Sequence, residues 1–272
     1  MKVLVFVVNY RADDYLLRLI ASLQTAMAQC PEVKLRLHVH DNSEKNIDEQ
    51  RRQIEAMAEV ACWVDVHFSP KNTGYFGSLG LAQALAGPDT DCVIYCNPDL
   101  TLAPDFFSVL ATIAGGSAGV LAPSIISESD GFDQNPKYIL RPTRRKLARL
   151  RLIYSNAGTF WMFHVLTLLK ERLARDRTPP SRSAMPIFAA HGSVMLFTDV
   201  GFFKSLPPFP CFLFGEELFV AEEAKRRGVP TYYEPRLRVH DVRHASIRLL
   251  PKRARREMLH ESIRFLLGTY YR

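Results

Sequence analysis

Cys92-Val93-Ile94-Tyr95-Cys96-Asn97-Pro98-Asp99 is an apolar run that stops on Asn-Pro-Asp. It reads as a buried strand with a carboxylate at its tip, because Pro98 has no N–H to extend a ladder. Ligands of open parallel α/β sheets bind beyond the carboxyl ends of the strands, so Asp99 is placed to meet a metal ion or a phosphate group. A turn, or a cap for the helix that starts near Pro104, is the plainer alternative. Gly215-Glu216-Glu217 brings two adjacent carboxylates to the start of another helix. Acids in a first turn complement the helix dipole, and carboxylates are also suited to proton abstraction. Between these two, Ala190-His191-Gly192-Ser193 interrupts an apolar run, and glycine inside a strand marks close approach of a ligand or another backbone. Ser69 to Gly80, with Asn72 and Gly74, runs into a helix and offers backbone N–H groups to a phosphate, although it matches neither a P-loop nor G-x-G-x-x-G. A turn using glycine for positive φ is its alternative.

The elements that must hold these residues alternate. Met1 to Val8 is a strand by its β-branched run, and Asp13 or Asp14 caps a helix with Leu16, Leu19, Ile20 and Leu23 at helical spacing. Leu35 to His40 is a second strand ending on Asp41-Asn42-Ser43, followed by a helix from about Ile47 to Val60 and a strand over Cys62 to Phe68. A helix around Leu81 to Leu85, the Cys92 strand, a helix from Pro104 to Ile113 and a strand near Val120 to Pro123 continue the series. Such alternation is the signature of parallel βαβ units. Beyond the irregular stretch from 127 to about 185, the pattern resumes with a strand over Pro186 to Phe197 and a helix to about Arg227. A strand Thr231 to Glu234, a segment Arg236 to His240 and a helical tail from Pro251 to Tyr270 complete the chain.

Length and composition fit a soluble globular protein with ample core. The apolar start is too short and too soon polar for a signal peptide or a membrane span, which points to the cytoplasm. Five cysteines without a C-x-x-C pair read as buried reduced thiols. The net charge of +7 is local: Arg141 to Arg177 holds ten Lys/Arg against Glu171 and Asp176. Those charges flank Phe160-Trp161-Met162-Phe163-His164-Val165-Leu166, a composition suited to an amphipathic helix lying on an anionic membrane, at the inner face of the cytoplasmic membrane. The alternative is an insertion with a solvated basic face. No nucleic-acid reader motif is present, so nucleic acid is not an expected partner.

In order, Val8-Asn9-Tyr10, Asp41-Asn42-Ser43, Asn72-x-Gly74, Asn97-Pro98-Asp99, His191-Gly192, Gly215-Glu216-Glu217 and His240 form a succession that resembles the family 2 glycosyltransferases, specifically their rhamnosyltransferase-like branch. The resemblance covers nearly the whole chain apart from the insertion and the tail. It implies the α/β GT-A fold, a mixed, mostly parallel sheet flanked by helices with a Rossmann-like N-terminal half. A single catalytic domain is expected over 1–272: a nucleotide-binding half (1–100), an acceptor-binding and catalytic half (101–250) with a basic amphipathic insertion at about 127–185, and a C-terminal helical tail (251–272).

The resemblance also implies roles. Val8, Asn9 and Asp41 would line the nucleotide base pocket, with Asn72, Gly74 and Asn97 bordering the nucleotide sugar. Asp99 and His240 would hold Mg²⁺ or Mn²⁺, and His191 and Gly192 would face the acceptor. Glu217, with Glu216 beside it, would take the proton from an acceptor hydroxyl in an inverting displacement. The implied donor is a nucleotide-diphosphate sugar, dTDP-rhamnose first and UDP- or GDP-sugars next. The implied acceptor is a glycan or lipid-linked saccharide of bacterial surface polysaccharide synthesis. Three departures stand out: Glu217 where Asp is usual, Gly80 where Asn is common, and a neutral Asn97. The competing readings are a nucleotidyltransferase, which would release pyrophosphate, and a non-catalytic scaffold or glycan-binding module.

Overall fold

A computed structural model describes residues 1–43, 52–56, 62–114, 118–173, 183–242 and 250–272. Its strands are β1 (Lys2–Asn9), β2 (Lys34–Asp41), β3 (Val64–Phe68), β4 (Cys92–Cys96), β5 (Leu100–Leu102), β6 (Val120–Ser127), β7 (Met185–Pro186), β8 (Val194–Phe197) and β9 (Thr231–Asp241). The helices are α1 (Asp13–Ala28), α2 (Leu79–Leu85), α3 (Phe106–Ala114), α4 (Arg144–Ser155), α5 (Ala157–Leu173), α6 (Val200–Ser205), α7 (Glu216–Arg226) and α8 (Lys252–Tyr270), with a 3₁₀ turn at Phe76–Ser78. The strands form one sheet in the order β3-β2-β1-β4-β8-β6-β9-β5, with β7 on β9. The longest ladders, β1 with β2 and β6 with β9, are parallel, and the antiparallel pairings are short.

Side chains alternate across the pleat, so β1 feeds two cores. Val3, Val5 and Val7 join Leu16, Leu19 and Leu23 of α1 on one face. Leu4, Phe6 and Val8 join Tyr75, Phe76, Tyr95 and Phe219 on the other. An apolar run buried on both sides is what a central parallel strand requires.

The sheet does not stay flat. Pro123 of β6 pairs with Glu234, but the next residue, Ser124, pairs with Arg238, leaving three residues of β9 as a bulge. Bulges bend the strand that carries them. Beyond it, Arg238 to Asp241 turns with Ser124 to Ser127 and takes up β5 antiparallel, Leu100 opposite Asp241. β5 begins four residues after β4 ends, so the curl returns the end of β9 to the tip of β4.

Several local expectations change. Neither Asp13 nor Asp14 caps α1: Ala12 holds that position, and Asp13 turns inward to accept from Asn9 Nδ2 at 2.6 Å. Pro186 to Phe197 is not one strand, because His191-Gly192-Ser193 separates β7 from β8 onto different partners. Thr231 to Asp241 is a single bulged strand. The basic insertion forms two helices that meet at Asn156 rather than one. Cys62 is exposed, while Cys30, Cys92, Cys96 and Cys211 are buried free thiols. Residues 52–56 of the expected second helix are helical, and the rest of it falls outside the described residues.

One buried polar stack carries a pH consequence. His38 and His40 of β2 stack on Phe6, with centroids at 5.3 and 6.2 Å, and their ring nitrogens are buried without partners. Burial pushes the His38 imidazole down to about 4. The folded state therefore binds this proton less readily than the unfolded chain, so stability is full above about pH 6.5 and falls as the pH drops towards 4. We expect a loss of about 2 kcal/mol near pH 4.5 from this group. Urea unfolding at neutral and acid pH should show that His38→Phe, which keeps the stack, shrinks the difference; an undiminished acid loss would assign it elsewhere.

Candidate active site

The carboxyl edge of the sheet gathers the polar residues. Asn9 and Asp41 end β1 and β2 side by side. Asn9 Nδ2 donates to Asp41 Oδ2 at 3.3 Å as well as to Asp13, and Ser43 N–H donates to Asp41 Oδ1 at 2.7 Å. Asp41 is almost fully buried, and Asn9 Oδ1 is a buried acceptor without a partner. Val8 is a core side chain beneath this edge.

Asn42 links the edge to the glycine-rich segment. Its Nδ2 donates to the Gly74 carbonyl at 3.1 Å, and its Oδ1 accepts from Thr73 N–H at 3.3 Å. Asn72 Oδ1 accepts from Gly74 N–H at 2.9 Å, closing an Asx turn. Gly74 has φ +80°, and a Cβ there would lie 2.1 Å from the Phe212 carbonyl oxygen. The close approach that demands glycine is thus made to the 212 backbone, and it fastens this segment to the loop that starts α7. The helix that follows this segment, α2, has only seven residues.

At the tip of β4 the half-buried Asn97 donates its N–H to the Ser193 carbonyl at 2.8 Å. Asp99 is buried, and its carbonyl accepts from Val242 N–H at 3.3 Å, which continues the β5–β9 ladder by one step. Thr101 is paired with the exposed His240. The ladder register therefore brings Asp99 and His240 onto adjoining strands as diagonal neighbours. His191 N–H donates to Asn135 Oδ1 at 2.7 Å, and its Nδ1 lies 2.9 Å from Ser193 Oγ. Next to it, a Cβ on Gly192 would stand 3.5 Å from Glu217 Oε2. The 191–193 turn is therefore the physical link between the Asn97 strand end and the Glu217 carboxylate.

The start of α7 separates its two acids. Phe214 and Gly215 have φ of +69° and +87°. A phenylalanine held in the left-handed region is a strained arrangement of the kind found at functional sites. It presents the N–H groups of Phe214 and Glu216 to the Glu216 carboxylate. Glu216 is buried, and that burial, with Glu217 next, raises its carboxyl well above the ordinary range. Glu217 is half-buried and directed at Gly192.

Two solved structures share this architecture. GalNAc-T7, crystallised with UDP, GalNAc and Mn²⁺, matches 90% of the chain with a TM-score of 0.60 at 14% identity. Residues 1–349 of S. aureus TarS match 99% of it with a TM-score of 0.55 at 12% identity. The fold is GT-A. The chain spans 44% of the GalNAc-T7 chain and 72% of the TarS chain. No protein-family model and no curated protein matches the sequence.

Within the GT-A frame, the strand tip, the 191–193 turn and the acid pair of α7 stand together, with Asn9 one strand and Asp41 two strands away along the edge. Tyr75 is the site residue that sequence reasoning passed over. Its hydroxyl is buried without a hydrogen-bond partner, and burial raises its pKa well above the phenol range, with Tyr95, Cys96, Glu216 and Asp99 as neighbours. Burial keeps this phenol in its protonated form. The available signal was a tyrosine beside a glycine whose φ is positive.

Among the described residues no group of three or more His, Cys, Asp and Glu side chains is arranged to hold a metal ion. Asp99 and His240 are a carboxylate and an imidazole on adjoining strands, the donor types that could serve a cation shared with a diphosphate, since Mg²⁺ sites of that type use one or two carboxylates and substrate oxygens. Imidazole in the pair favours Mn²⁺.

Proposed function

We propose that the chain is a glycosyltransferase that moves a sugar from a nucleotide-diphosphate donor to an acceptor hydroxyl with inversion. The observation that carries this reading is the placement of Glu217 across Gly192 from a strand end whose tip bears Asp99. A base on one side and a diphosphate-holding group on the other is what a single in-line displacement needs.

Residues 1–100 would seat the nucleotide. Asn9 and Asp41 lie at the edge where a base would dock, and Asn72, Gly74 and Asn97 border the sugar diphosphate. Asp99 and His240 would hold Mn²⁺ or Mg²⁺, which when bound neutralises charge on the departing diphosphate. Glu217 accepts the proton of the acceptor hydroxyl as its oxygen attacks the anomeric carbon, and the bond to the diphosphate breaks on the opposite face. His191 and Gly192 flank that hydroxyl. Glu216 sits behind as a buried carboxylic acid that sets the helix start, and Tyr75 supplies a buried, protonated hydroxyl. By sequence resemblance the donor is dTDP-rhamnose and the acceptor a glycan or lipid-linked saccharide of bacterial surface polysaccharide, handled in the cytoplasm.

Thermal unfolding with UDP-, GDP- and dTDP-sugars tests the donor. A ligand of the folded state at 100 times its Kd stabilises by about 2.7 kcal/mol. One of these donors is expected to raise Tm when Mn²⁺ is present. No shift with any of them would remove the reading.

A further inference from the structure

We propose that the α4–α5 hairpin is a docking surface for an anionic lipid bilayer. Among the described residues, every large apolar side chain that stands exposed lies between 139 and 166: Ile139, Leu140, Leu152, Trp161, Met162 and Leu166. The same stretch contains no Asp or Glu and six Lys/Arg. Exposed apolar surface and basic charge thus coincide in one stretch of the chain, which a solvated insertion would not require.

The packing fixes which faces are outward. α4 rests on α8: Leu147 is fully buried, and Arg256 Nη1 donates to the Tyr154 and Ser155 carbonyls at 3.2 and 2.9 Å, closing the end of α4. α5 rests on α4 through Phe160 and Phe163, whose rings meet Tyr154 edge-on at 5.9 and 6.3 Å. Trp161 and Met162 with Leu166 occupy the opposite side of α5 at helical spacing. On α4, Arg145, Arg149 and Leu152 share an exposed face at i, i+4 and i+7. Arg141 does not belong to this face, because Glu222 binds it bidentately at 2.8 and 3.0 Å.

Charge selects the occupant. A two-fold contact with a second copy would set Arg145 and Arg149 near their own equivalents, and protein interface cores are depleted in charge. An anionic bilayer satisfies both parts, with tryptophan and leucine at the acyl boundary and guanidinium groups at the headgroups. No helix among the described residues is long and apolar enough to cross a membrane, so the hairpin lies along the surface. This docking is independent of the chemistry proposed for the carboxyl edge of the sheet.

The test is co-sedimentation of the full chain with vesicles of phosphatidylcholine alone or mixed with phosphatidylglycerol. Binding is expected only to the mixed vesicles and should weaken as salt rises. Arg145→Ala with Arg149→Ala should weaken it about 25-fold, roughly 5-fold for each charge near the surface. Trp161→Ser with Leu166→Ser should abolish it while leaving Tm unchanged, since both side chains are exposed. In a Trp63→Phe background, Trp161 emission should shift to the blue on binding. Absence of binding to the anionic vesicles, or binding that both double variants leave intact, would overturn the proposal. So would concentration-dependent dimerisation that Trp161→Ser abolishes in a chain that ignores vesicles.

Discussion

Replacing Glu217 with glutamine is expected to lower turnover by about 10² to 10⁴, the range that general-base assistance supplies, while leaving nucleotide affinity unchanged. The amide keeps the size and the contact with Gly192 but has no lone pair of useful basicity. Glu216→Gln provides the contrast. Glu216 is buried, with its carboxyl raised by burial and by Glu217, so protonation favours the folded state and this contribution is lost as the pH rises through the raised value. Its glutamine variant should be more stable than the parent on the alkaline side and keep most of the turnover. Steady-state rates alongside Tm across pH separate the two acids. If Glu216→Gln were the inactive variant and Glu217→Gln the active one, the base would be the buried acid.

Asp99→Asn is expected to weaken Mn²⁺-dependent binding of a nucleoside diphosphate by at least about 10- to 100-fold, the loss that even groups behind a metal ligand produce when changed. The substitution removes one negative charge without altering the backbone bond from Val242 N–H to the Asp99 carbonyl, so the curl of the sheet stays in place. Calorimetric titration of UDP, GDP and dTDP with and without Mn²⁺ reads the effect. His240→Ala should give a smaller loss in the same direction, because an exposed imidazole is the weaker half of the pair. Unchanged titrations for Asp99→Asn would leave Asn97-Pro98-Asp99 as a turn and nothing more.

Much of this arrangement was legible before any coordinates. β1 and β4 are short apolar runs ended by Asn9 and by Asn97-Pro98-Asp99, and such runs become central parallel strands because only burial on both faces satisfies them. The start of α7 was legible from Gly215 and two acids. What local pattern could not carry was the long-range geometry. The three-residue bulge between Glu234 and Arg238 leaves no periodic trace, yet it brings His240 beside the Asp99 strand. The different surroundings of Glu216, buried, and Glu217, half-buried, follow a helix start at which Phe214 takes a left-handed conformation that its residue type disfavours. Asp13 has the right type to cap α1, but tertiary burial gives it Asn9 instead. Gly74 was read as a residue beside a bound nucleotide, and local pattern gave no sign that its α-carbon also abuts the Phe212 carbonyl.

The GT-A fold and the residues at its carboxyl edge lead to one outcome that product analysis tests most directly. With the donor that stabilises the protein and a saccharide acceptor, nuclear magnetic resonance should show free nucleoside diphosphate formed in step with a glycoside whose anomeric configuration is opposite to that of the donor. Release of pyrophosphate, or a product that retains the donor configuration, would contradict the account.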